Sequence, residues 1–192
     1  MLIKLLPAQE REHLIELATL LALSDKPLLW DGKTSDELTS STNLDELTIQ
    51  EGEQECELIA ELEHSAGITR LGSSHLSAYF SPPEVKASLL EALKVLPIKK
   101  AERPEFRAQA STAVLKELLK DKKFVQPSVP KVMLFELLLV ALRDGNISSI
   151  EWALLKEFQQ HHKLEDFIFD DLLERAEALN QEISKAISIV LE

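Results

Sequence analysis

The sequence predicts an all-α domain, a compact bundle of about seven or eight helices containing a pseudo-repeated helix pair. Three observations predict it. Apolar residues recur at helical spacing along most of the 192-residue chain. Capping patterns and prolines punctuate those stretches at both ends. No run alternates apolar and polar residues between turn signals, so no strand is expected.

The first helix is expected over residues 8–24, with Leu14, Leu17, Ala18 and Leu21 as its core stripe and His13 beside it. Pro27 ends it. A long polar connection, about 26–47, follows and contains Trp30-Asp31-Gly32. Trp30 is expected to anchor this connection to the core. Thr48 and Glu51 are read as a capping box opening a helix to about Ser65, with Leu58, Ile59 and Leu62 inward. Its other face, 51–63, is rich in glutamate. Gly67–Ser74 reads as a turn region and His75–Phe80 as a short helix. Ser81-Pro82-Pro83-Glu84 opens a helix over about 82–96, closed by Pro97. Another runs over about 104–120 with Phe106, Ala110, Val114, Leu115 and Leu118 inward. Gln126–Pro130 is a break.

The clearest stretch is Leu134–Phe158. Leu134, Leu137, Leu138 and Ala141 fall on one helical stripe. Gly145 can end that helix in the left-handed conformation. Ser148-x-x-Glu151 is a capping box that restarts it, and Trp152, Leu154, Leu155 and Phe158 give the new helix its apolar face. A last segment begins at 164–166 with Phe167, Ile168, Leu172, Ala176 and Leu179 as its face. Asn180 is read as a break before a final helical repeat, Ile183–Leu191.

Composition narrows the function classes. The chain is long enough for one sizeable core and is read as a single domain over 1–192. There is no apolar run long enough to span a bilayer, and Met1–Leu6 carries no cleavage-site pattern, so neither membrane insertion nor a signal peptide is expected. The one cysteine, Cys56, excludes a disulfide within the chain and fits a reducing cytoplasm. A net charge of −12 repels phosphate backbones, which makes nucleic acid a poor partner. The basic residues Lys99-Lys100, Lys120, Lys122 and Lys123 sit at expected helix ends, where cations favour the dipole. Neither G-x-S-x-G, nor H-E-x-x-H, nor a glycine-rich phosphate loop is present, and the acidic neighbours of Cys56 blunt its reactivity. The chain is therefore read as a non-enzyme. His161-His162 are adjacent and point in different directions, so they form no metal pair by themselves.

Asp144 and Glu151 flank one tight turn with Asn146 between them, an arrangement of hard oxygen donors. Both also have ordinary roles, as turn residue and cap. The string 144–151 matches the second half of an EF-hand loop, but Val140 and Leu142 stand where its first carboxylates belong, which rules that motif out. A weaker copy of the hinge lies at the N-terminus: Ala18–Asp25 parallels Glu136–Asp144, and Thr48-x-x-Glu51 parallels Ser148-x-x-Glu151.

The segment from Ala141 through Leu155, together with Leu172-Leu173-Glu174-Arg175-Ala176-Glu177, resembles the TerB-like family of tellurite-resistance and stress-response domains. Asp144, Gly145, Ile147, Ser148 and Glu151 carry the resemblance, which extends over about 134–179 and more weakly over about 8–62. There Lys26 replaces the glycine that follows the aspartate in the family pattern. The resemblance implies a compact helical fold and a divalent-cation site (Ca²⁺, Mg²⁺ or Mn²⁺) built from Asp25, Glu51, Asp144 and Glu151, with Asp31 and Glu55 as substitutes. It implies a cytoplasmic, non-catalytic role in stress response through another protein; an acidic helix pair is equally compatible with a homodimer. The competing reading is a metal-free interaction scaffold that uses the 28–46 loop or the acidic 51–63 face.

Overall fold

The structure, a computed structural model, describes residues 2–67 and 82–191, without the side chains of 53–56, 82, 83 and 191. The expected turn at 67–74 beyond Gly67, the short helix 75–80 and the serine of the 81–84 cap lie outside the described residues, as do the side chains of Glu55 and Cys56. Eight α-helices and one small hairpin make up the described chain: α1 Ala8–Leu23, β1 Leu28–Trp30, β2 Leu47–Ile49, α2 Glu53–Ala66, α3 Pro82–Lys94, α4 Ile98–Ala101, α5 Pro104–Leu119, α6 Val129–Ala141, α7 Ser149–His161 and α8 Asp166–Leu191.

α1 is the central rod. From His13 to Ser24 every residue but Glu16 is buried, because α2, α3, α5 and α6 all pack against it. A helix apolar on nearly all sides belongs in the middle of a bundle. α7 lies against α5, and α8 against α6. The predicted stripes of α1 and α6 are all buried, and Leu154, Leu155 and Phe158 of α7 join them in one core. Glu136 interrupts the apolar run of α6 and is 1% exposed. Its Oε1 accepts from the backbone amides of Leu2 and Ile3, so the one acid in that helix ties down the N-terminal turn.

Four expectations are corrected. First, strands exist: β1 and β2 pair antiparallel, Leu28 opposite Ile49 and Trp30 opposite Leu47. Leu28, Trp30, Leu47 and Ile49 face the core while Thr48 faces water. At Asp31-Gly32 both residues take positive φ, 53° and 72°, and Trp30 and Lys33 exchange backbone hydrogen bonds of 2.8 and 3.0 Å across them. That is the two-residue turn for which Asp-Gly is the favoured sequence. Trp30 is 3% exposed, as an anchor should be.

Second, Thr48 and Glu51 form no capping box, since Thr48 belongs to β2 and α2 starts at Glu53 after Gly52. Strand pairing claims Thr48 before helix capping can. Third, Asn180 does not break α8, which runs on for 26 residues. Its Nδ2 donates to the Leu142 carbonyl, 2.8 Å away, so a polar residue stays in the helix because it caps the end of α6. Fourth, two inward faces are rotated. Phe169, fully buried, and not Phe167, 61% exposed, anchors α8. On α5, Arg107 and Leu119 are buried in place of the predicted Phe106 and Leu118. Beyond Asn180 every residue of α8 to 190 is exposed, including Ile183, Ile187 and Val190.

Candidate functional site

The α6–α7 hinge forms as its sequence dictates. Gly145 takes φ 92° and its amide bonds the Leu142 carbonyl at 2.9 Å. Ser148 caps α7: its Oγ accepts from the Glu151 amide at 3.3 Å, and Glu151 Oε2 accepts from the Ser148 amide at 2.7 Å. Ile147 packs back on the core. This reciprocal cap fixes the Glu151 carboxylate at the start of α7, where only 7% of the residue is exposed.

Two more carboxylates act on it. Asp25 follows α1 directly, and Asp144 lies on the exposed rim of the hinge. The Glu151 carboxyl is pushed up from its ordinary 4.5 to about 7, first by burial and then by the negative charges of Asp25 and Asp144; the Ser148 hydrogen bonds oppose the rise. Three of the four sequence-predicted carboxylates thus share one end of the bundle. The fourth, Glu51, follows β2 and forms an ion pair with Lys86 of α3. Asp31 is spent in the hairpin turn.

Glu151 and Asp144 line a crevice of about 30 Å³, together with Lys26, Arg143 and apolar residues of α1, α2 and α6. That volume takes one small ion or a water or two. Carboxylate oxygens are the donors that hard divalent cations select. The Asp25 Oδ1 atom is buried without a hydrogen-bond partner, 3.6 Å from Lys26 Nζ. Donor type and space therefore fit a cation. Convergence does not: among the described residues, no three His, Cys, Asp or Glu side chains stand close enough together to hold a metal ion. A cation here would rest on Glu151 and an inward rotation of the exposed Asp144 side chain.

One residue at this end carried no sequence signal. Arg107, in the first turn of α5, is 6% exposed, and its Nε and Nη2 atoms have no hydrogen-bond partner. Burial pulls its pKa down, and the charges of Asp25 and Glu102 hold it up. Asp25 thus sees two cations, the partly buried Lys26 and the buried Arg107. A basic residue near a helix start reads as surface; the packing of α5 within the bundle buries it. No helix of the described chain is long and apolar enough to cross a membrane. No protein-family model, curated protein or solved structure matches the chain.

Proposed function

We propose that this chain is a non-catalytic TerB-like helical module that takes up one divalent cation at the α6–α7 hinge and presents the result to a protein partner. The observation that carries the reading is the placement of Asp25 and Asp144 at the same end of the bundle as the buried Glu151, whose carboxyl is raised to about 7 first by burial and further by their negative charges. A cation relieves such repulsion; a proton is the alternative occupant. Glu151 and Asp144 would hold the ion, Asp25 would add charge behind them, and the Ser148 cap would fix Glu151 in place. The ion would supply a positive charge for the carboxylate oxygens of Glu151 and Asp144 to coordinate.

The test is a titration of metal-free protein with Ca²⁺, Mg²⁺ and Mn²⁺, following melting temperature at pH 6 and pH 8. A cation at about a hundred times its dissociation constant stabilises by about 2.7 kcal/mol. That is a rise of roughly 5–10 °C for a domain of this size. The rise should be larger at pH 8, because the ion competes with a proton for Glu151, and absent in Asp144→Ala. A melting temperature indifferent to every cation at pH 8 sinks the reading. In that case the scaffold reading takes over. It draws on Lys26 and Arg107, which already give Asp25 counter-charge, and on the exposed Glu57 and Glu61 of α2.

A further inference from the structure

At the other end of α7, about 16 Å from Glu151 at 1.5 Å per residue, the charge reverses. The loop 120–128 joins α5 to α6 and crosses beside the end of α7. Phe124 pins it: the ring is half-buried, 4.9 Å from the His162 ring and 6.4 Å from that of His13. With Phe124 turned in, Lys122 and Lys123 are exposed. Lys131 in the first turn of α6 and Lys163 just past α7 are exposed beside them. All four line one cleft of about 660 Å³.

Several other lysines of the chain are held in ion pairs. Lys94, Lys116, Lys120 and Lys185 each lie within 3.5 Å of a glutamate oxygen. Lys122, Lys123, Lys131 and Lys163 form no ion pair among the described residues, in a chain of net charge −12. Asp121 is the one carboxylate in the cleft lining. α5 and α7 end here while α6 and α8 start here, so the helix dipoles oppose one another and the lysines set the sign. Asp121 and Lys163, which bound the cleft, both take left-handed φ, 59° and 52°. Non-glycine residues adopt that conformation at a steric cost, and here it turns the chain so that the basic side chains border one space.

We propose that this cleft binds a small organic anion carrying two or more phosphate groups, with Lys122, Lys123, Lys131 and Lys163 as the phosphate contacts. The volume lies in the range of small-molecule sites and exceeds what a single phosphate fills. Lysines act on phosphate as mobile point charges, which suits a ligand with several anionic groups in a row. Phe124 and His162 offer a ring wall for the organic part. His162 stays neutral at physiological pH, since burial, then His161 and His13, lower it to about 4. A long nucleic acid fits less well. The four lysines border one cleft, and a net charge of −12 over the whole molecule repels a polyanion.

Calorimetric titration with inorganic pyrophosphate and with ADP, both free of divalent cations, tests this against sulfate at matched ionic strength. Saturable one-to-one binding of both probes, well above sulfate, is expected. Loss of two charge-assisted contacts in Lys123→Glu/Lys131→Glu should weaken it by at least about tenfold. These positions are exposed, so circular dichroism of the double variant should match the parent. Asp144→Ala should bind both probes unchanged, which separates this cleft from the hinge. Absence of saturable heat at millimolar probe overturns the proposal, as does binding undiminished in the double variant. So does tighter binding of a single-stranded oligonucleotide or a polyglutamate peptide than of pyrophosphate.

Discussion

Trp30→Ala is expected to destabilise the protein by about 3–5 kcal/mol, the usual cost of truncating a fully buried aromatic. Trp30 ends β1 opposite Leu47, is 3% exposed, and belongs to the same core as α1 and α2. Strands of three residues each form no independently stable sheet, so the hairpin holds its place through Leu28, Trp30, Leu47 and Ile49. Removing the largest of these leaves a cavity that the short strands cannot collapse to fill. At roughly 2–4 °C per kcal/mol, the melting temperature should fall by about 10 °C or more. Urea denaturation measures the effect directly. A change below about 1 kcal/mol would mean that the tryptophan serves a partner and not the core.

Glu151→Gln is expected to flatten the pH dependence of stability. In the folded protein this carboxyl titrates near 7, against about 4.5 when solvated. Between those values the folded state holds the proton that the unfolded chain has released. Its contribution is fully present below about 4.5 and is lost as pH rises through 7. The parent should therefore melt lower at pH 8 than at pH 5 in the absence of divalent cations. Glutamine keeps an acceptor for the Ser148 amide and serves in the same cap. The variant should gain about 1–3 kcal/mol over the parent at pH 8, discounted for partial solvent screening, and little at pH 5. Parallel pH profiles for the two proteins would show that Glu151 ionises freely in the fold.

The hinge could be read in the sequence because all its signals are local. Gly145, Ser148 and Glu151 act on neighbours within a turn, and the structure keeps each in its expected role. The hairpin could not, since its strands are three residues long, lie far apart in the chain and gain meaning only when paired. Thr48-x-x-Glu51 looks like a cap because the pattern says nothing of a partner strand, and β1 supplies one. Asn180 looks like a break because its acceptor, the Leu142 carbonyl, is 38 residues away along the chain. The candidate site divides in the same way. Asp144 and Glu151 are joined by one turn and could be paired by eye; Asp25 is named only through the family resemblance. Arg107 could not be found, because its burial is a property of how α5 packs among its neighbouring helices. Lys122 and Lys123 were visible as basic residues, but their union with Lys131 and Lys163 depends on the path of the 120–128 loop.

The length of α8 gives the molecule two kinds of melting. Up to Asn180 the helix is held by Phe169, Ala176 and the bond to Leu142, and must unfold with the bundle. Past Asn180 its residues are exposed on every side. Isolated helices shorter than about 12–15 residues are marginal in water, so these last turns exchange with coil on their own, well below the temperature at which the core gives way. Helical signal should decline steadily before the cooperative transition, and amide exchange should slow abruptly on passing from residue 185 back to residue 176. The boundary between them is drawn by one side-chain amide.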